Sequence, residues 1–209
     1  MILRMICLSF ALVSALPADN AALDAWLKRQ ASSDTLETRF TQERTLPSLK
    51  QPLITPGKLA FSKPGRVRWQ LGEPTATLVV SDGTTLTMVD VAGKTARQIP
   101  ADSPQAARFS MLTGKGFQNP ENFYKMFEIL AHRIQSGIHQ YTLKPKDRRM
   151  RSQLPWVFLD IDPQKNELRA MELELQDKSR IRTLFHQPRF NSTLSPTLFA
   201  VDLTGLKVN

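Results

Sequence analysis

Residue types able to carry chemistry are few in this chain, and they are scattered. The three histidines, His132, His139 and His186, do not fall at the spacing of a compact zinc motif. Ser81-Asp82-Gly83 places a hydroxyl beside a carboxylate, yet Asp-Gly supplies the positive φ of a tight hairpin and accounts for all three residues. Asp160 and Asp162 lie two apart, hence on one face of a strand, with the spacing to hold a cation or to work as paired acids. Asp162-Pro163 equally opens a turn. Leu112-Thr-Gly-Lys-Gly116 lacks the glycine spacing and the trailing Ser or Thr of a phosphate loop and reads as a helix-ending glycine turn. No nucleophile elbow of the Gly-x-Ser-x-Gly type occurs. The expectation is a protein that is not an enzyme, with no metal and no cofactor.

Charge supplies a second kind of candidate. The formal charge is +9, which favours contact with phosphate, anionic headgroups or acidic protein surfaces. Residues 144–151 concentrate it, with Lys144, Lys146, Arg148, Arg149 and Arg151 against the single Asp147. The stretch is either a solvated loop between strands or a docking surface for an acidic partner. Nucleic acid is not expected, because helix-turn-helix spacing, zinc ligand sets and aromatic RNA-binding signatures are missing from the sequence.

The elements that would position these residues begin after an export signal. Arg4 precedes an apolar run to Leu16 and a small-residue exit at Ala18, the pattern of a secretory signal peptide over residues 1–18. Cleavage after Ala18 is favoured over Ala15. The run is shorter than the ~20 residues needed to span a bilayer. Removal of the signal also removes Cys7, the only cysteine. Residues 19–209 then form one soluble, exported domain, long enough to bury a core without disulfides.

Asn20 to Ser33 reads as an amphipathic helix, with Ala22, Trp26 and Arg29 at helical spacing beside Leu23 and Leu27. From Leu36 the period changes to two. Short strands follow over 36–42, 58–62, 66–71, 77–80 and 85–89, separated by Pro-Gly, Asp-Gly and Ala-Gly-Lys turns. In the third, Val67, Trp69 and Leu71 oppose Arg66, Arg68 and Gln70. Ser103-Pro104 starts a helix bearing Ala107, Met111 and Leu112, and Asn119-Pro120 caps another bearing Phe123, Met126, Phe127 and Leu130. Strands resume at 141–143, 156–161, 168–175 and 180–185, with a last one near 199–208. The pattern is mainly β with a few helices (α+β): two meanders in one curved antiparallel sheet, with a helical insert. Its apolar face is either an ordinary packed core or the wall of a pocket that the helices cover without filling. Periodicity alone leaves both readings open.

Phe40-Thr-Gln42, Gly57-Lys-Leu59, Phe61-Ser-Lys63-Pro64 with Trp69, and Val80-Ser-Asp-Gly83 form an ordered series. The series resembles the LolA family of periplasmic carriers, whose N-terminal half carries F-x-Q, G-x-L-x-x-x-[RK]-P-x-x-x-x-W and V-S-D-G in that order. Leu198 to Val208 resembles the family's final segment. The resemblance implies an incomplete antiparallel β-barrel of about eleven strands with a helical lid over an apolar cavity. It also implies a periplasmic monomer that takes acylated lipoproteins from an inner-membrane lipoprotein-releasing transporter to an outer-membrane acceptor. Phe40, Leu59, Phe61, Val67, Trp69 and Leu71 are then the cavity wall, and Lys63, Phe123, Met126 and Phe127 the lid and gate. The family's gate residue is an arginine that hydrogen-bonds the lid. Lys63 keeps the charge without the planar fork, so closure should be held differently. Alternatives are a related carrier of another lipid or glycolipid, a non-catalytic envelope sensor, and, in another class, an envelope hydrolase using Ser81 or Asp160.

Overall fold

The computed structural model describes residues 20–103, 106, 117 and 119–209. The expected signal peptide (residues 1–18), Cys7, the helix bearing Ala107, Met111 and Leu112, and the glycine turn at 114–116 lie outside the described residues. Among those described, no helix is long and apolar enough to cross a membrane.

Among the described residues, twelve strands form a single open sheet. The first meander is β1 (Thr35–Thr45), β2 (Leu53–Ser62), β3 (Arg66–Leu71), β4 (Thr77–Ser81), β5 (Thr85–Asp90) and β6 (Thr95–Pro100). The second is β7 (Phe127–Gln135), β8 (Ile138–Pro145), β9 (Trp156–Asp162), β10 (Glu167–Glu174) and β11 (Arg180–Phe190). β11 returns to pair antiparallel with β1, so the first strand lies between the two meanders. A two-residue β12 (Lys207–Val208) adds to β6 in parallel. The order is β12-β6-β5-β4-β3-β2-β1-β11-β10-β9-β8-β7, with β12 and β7 as edges. This is the expected β-rich, incomplete barrel, with twelve strands in place of about eleven.

Turn chemistry sets the registers. At the β4–β5 hairpin the Asp82 carboxylate accepts from the amides of Thr84 and Thr85, each at 2.8 Å, and Gly83 takes φ +104°. The Ser81 hydroxyl accepts from the Gly83 amide at 3.2 Å, so serine and aspartate both serve the turn. Ser136-Gly137, both at positive φ, close the β7–β8 hairpin.

Among the described residues three helices accompany the sheet: α1 (Ala21–Ser32), α2 (Pro120–Met126) and α3 (Arg148–Gln153). α1 buries Ala22, Leu23, Trp26 and Leu27, the face read from its spacing. Two sequence expectations fail. α2 ends at Met126, and Phe127 opens strand β7, which also carries Leu130. The spacing 123, 126, 127, 130 suits a helix, but pairing with β8 satisfies the backbone of 127–135 and decides the outcome. The last strand is likewise cut to two residues. Pro196–Phe199 is a 3-10 turn, and Phe199 packs with Ala60 and Val80 on the face of the sheet opposite α1.

Candidate functional site

Two apolar clusters share the face that α1 covers. Phe40, Leu59, Phe61 and Val67 are buried on β1–β3, with Trp69, Leu71 and Phe185 against them. Tyr141, Leu143, Val157, Leu159 and Met171 lie on β8–β10, under Leu23, Trp26 and Leu27 of α1 and Phe123 of α2. The β1–β11 pairing brings these halves together. Between them is a cavity of about 80 Å³, lined by Trp26 and Gln30 of α1, Leu36 and Thr38 of β1, Leu59, Phe61 and Trp69 of β2 and β3, Leu168 and Met171 of β10, Phe185, Pro188 and Phe190 of β11, and Phe117. Among the described residues Gln30 and Thr38, with the indole N–H groups of Trp26 and Trp69, are its polar lining. The volume is well below the ~300 Å³ at which ligand pockets begin. An acyl chain therefore needs more room than the space between α1 and the sheet gives.

Polar contacts hold the end of α1. The Lys63 ammonium, in the β2–β3 turn, donates to the Ala31 carbonyl at 2.7 Å and lies 3.5 Å from the Asp34 carboxylate. On the other side Arg29 donates to the Lys165 carbonyl, pairs with Glu167 at 3.7 Å and places its guanidinium 4.0 Å from the centre of the Phe190 ring. Both cations sit at the helix C-terminus, where the free carbonyls and the helix dipole favour positive charge. At the other end the Tyr124 hydroxyl of α2 donates to Asp24 at 2.8 Å. Burial, then the bond to Asp24 and its negative charge, push the Tyr124 pKa far up, so it stays a donor. Each partly exposed contact is worth about 1 kcal/mol, so the fastenings can yield one at a time.

The structure sorts the expected site residues. Leu59, Phe61 and Trp69 line the cavity. Phe40, Val67 and Leu71 belong to the layer around them, with the Phe40 ring 4.3 Å from Trp69 and 6.4 Å from Phe185. Lys63 bonds the Ala31 carbonyl at the end of α1. Phe123 and Phe127 are fully buried in the β8–β10 cluster and Met126 packs against it; none lines the cavity. Phe117 touches both phenylalanines (5.9 and 5.7 Å between ring centres) and does line it. Trp26, Phe117, Leu168, Met171, Phe185 and Phe190 went unassigned from sequence. The alternation of Met171 and the helical face of Trp26 were visible, but not the closure that aims them at Trp69.

The basic stretch 144–151 is not one loop. Lys144 belongs to β8, Asp147 caps α3, Lys146 donates to the Tyr124 carbonyl, and Arg151 donates to the carbonyls of Pro145 and Lys146. Asp160 bonds Arg182 at 2.6 Å, and Asp162 accepts from the turn amides of Gln164 and Lys165. The pair is engaged in ion pairing and turn formation. His132 and His139 meet across β7 and β8 at 3.1 Å, with Tyr141 stacked on His132, while His186 bonds Thr41 elsewhere. Among the described residues no three His, Cys, Asp or Glu side chains gather as a metal site.

An open half-barrel around an apolar cavity, covered by helix α1 on polar fastenings, defines the structural class. The family model described as "Outer membrane lipoprotein carrier protein LolA" matches residues 31–202, and the chain belongs to the LolA family. It is 26% identical over 187 residues to an outer-membrane lipoprotein carrier protein of Chromobacterium violaceum, covering 89% of this chain and 85% of that one. A protein of the same description from Azotobacter vinelandii is 28% identical over 149 residues, covering 70% and 69%. The fold is shared with an uncharacterized conserved protein from Thermus thermophilus, at a TM-score of 0.52 and 8% identity over 92% of this chain and 99% of that one.

Proposed function

We propose that this chain is a periplasmic, non-catalytic carrier that encloses the acyl chains of lipoproteins and moves them from the inner to the outer membrane. The observation that carries the reading is the apolar cavity between the two halves of the sheet, closed by a helix whose end is held by Lys63 and Arg29. A carrier must bury methylenes worth ~0.8 kcal/mol each and still release them. A cavity that is small when empty meets both demands, because an incoming chain replaces the packing that α1 gives up. Family membership supports lipoproteins as the cargo, an inner-membrane lipoprotein-releasing transporter as the donor and an outer-membrane protein as the acceptor. The apolar run at the amino terminus supports export through a cleaved signal peptide.

The test is native mass spectrometry of the mature protein prepared from periplasm without detergent, followed by titration with a triacylated Cys-Ser-Lys peptide. Co-purified acylated proteins, together with a change in tryptophan emission on titration, are expected, since Trp26 and Trp69 line the cavity. Free lipids or glycolipids in place of acyl-proteins would keep the cavity and change the cargo. A protein that is empty and takes up no acyl peptide would overturn the carrier reading in favour of an interaction module.

A further inference from the structure

The face of the sheet opposite α1 carries a second feature, independent of what fills the cavity. Across three neighbouring strands His186, Arg39 and Lys58 stand directly opposite one another, in the register His186–Arg39 on β11 and β1 and Arg39–Lys58 on β1 and β2. The like charges of Arg39 and Lys58 repel in this arrangement and weaken a sheet. The fold handles charge differently two rows away. There Glu43 and Glu172 flank Arg182 in register, and Arg182 bonds Glu172 at 3.3 Å and Asp160 at 2.6 Å.

The next row adds Arg189 and Arg68. Arg189 is answered by Glu37 at 2.9 Å, and Lys58 reaches Glu73 only at 3.9 Å with both groups exposed. Arg68 donates to the Leu198 carbonyl, and Arg39 and Arg68 have no carboxylate partner among the described residues. Burial pulls the Arg68 pKa below the usual arginine range. These side chains line a groove of about 520 Å³. Leu198 stands on one side, and on the other lies the β11 irregularity, where Gln187 takes φ +51°.

We infer that this groove binds an acidic, extended peptide segment of a protein partner, with carboxylates answering Arg39, Lys58 and Arg68. The shape favours a chain over a bilayer, because a flat headgroup surface does not descend between the Leu198 wall and β11. The spread of charge favours a chain over a lone oxyanion. Neighbouring strands lie ~4.8 Å apart, so one small anion would satisfy two cations and leave the others opposed. A segment with two or more carboxylates matches the rows, and arginine can take each in bidentate fashion.

The experiment uses the full mature chain and a fluorescein-labelled peptide of about eight alternating Glu and Gly residues, read by anisotropy at low ionic strength. Saturable binding is expected, weakened about tenfold by Arg39→Gln with Lys58→Gln and within about twofold of wild type for the control pair Lys28→Gln with Lys50→Gln, two exposed cations away from the groove. The groove variant should also melt higher than wild type, because it loses an opposed pair. Equal weakening in both double variants would reduce the effect to net charge and overturn the site. A lower melting temperature in the groove variant would make the cations structural. Groove-dependent retention on phosphatidylglycerol vesicles without peptide binding would replace the peptide with a membrane. Full displacement of the peptide by millimolar inorganic phosphate would reduce the groove to a small oxyanion site.

Discussion

The ring of Phe40 lies over the backbone of Gly57, its register partner across β1 and β2, so closely that a Cβ at Gly57 would fall 2.1 Å from Cζ of the ring. The glycine is what lets that ring reach Trp69 and Phe185 behind the cavity wall. Gly57→Ala is therefore expected to destabilise the fold by about 1–3 kcal/mol through overpacking, read as a lower urea midpoint. Phe40→Leu should relieve part of that cost in the double variant, giving a non-additive cycle. Strict additivity would show that the two residues do not meet in solution.

Asp82 gives a prediction in pH. Its carboxylate accepts from the amides of Thr85 and Thr84, and these bonds, the largest causes, hold its pKa below the ordinary carboxylate value against a small opposing effect of burial. A depressed folded pKa contributes stability that is fully present above the unfolded value near ~3.9 and is lost as pH falls through the folded value. Asp82→Ala should thus lower stability at pH 7 by about 1 kcal/mol, as for a lost turn or cap acceptor. The gap to wild type should shrink steadily below about pH 4. Paired urea titrations at pH 7 and pH 2.5 measure it, and a gap that stays constant would contradict the assignment.

How far the sequence speaks depends on whether local or distant contacts decide. Asp82-Gly83 and the alternation Val67, Trp69, Leu71 are settled by neighbours in the chain, and the structure places them as read. Phe127 and Leu130 are settled by a partner strand: the helical spacing from Phe123 onward is real, but β8 captures the backbone. The cavity was half legible. Leu59, Phe61 and Trp69 sit beside turn and strand signals, whereas Met171 and Phe185 reach the same space through the β1–β11 pairing, between residues as distant in sequence as Arg39 and His186. Nothing local announces that pairing. The opposition of Arg39 and Lys58 depends on the β1–β2 register, which the alternation within each strand does not set.

Leu168 tests the cavity with little risk to the fold, because it lines the space while only partly buried. Leu168→Glu should abolish uptake of the triacyl peptide, since a carboxylate desolvated beside an acyl chain costs several kcal/mol, with a smaller effect on melting. Phe117→Ala points the other way. Removing a ring packed on Trp26, Phe123 and Phe127 should lower stability by about 3–5 kcal/mol, yet enlarge the cavity and speed acyl uptake. Stopped-flow tryptophan fluorescence separates the two. Uptake unchanged in both variants would place the acyl chain elsewhere.

Lys63 decides whether the end of α1 is the gate. Its ammonium is held between the Ala31 carbonyl and Asp34, and leucine at this position would leave that last-turn carbonyl without its charged donor. The lost contact is worth about 1 kcal/mol, because Lys63 is partly exposed, which converts to roughly fivefold in an opening equilibrium. Amide exchange over residues 31–34 should accelerate by that factor in Lys63→Leu, and bound triacyl peptide should dissociate correspondingly faster. Lys63→Arg supplies a donor of equal charge and should stay near wild type if reach to Ala31 is what matters. Arg29→Leu removes the opposite fastening and its stacking on Phe190, so the double variant should release faster than either single one. Loading, release and exchange all unchanged in Lys63→Leu would remove this lysine from the mechanism and leave α1 held by its apolar face alone.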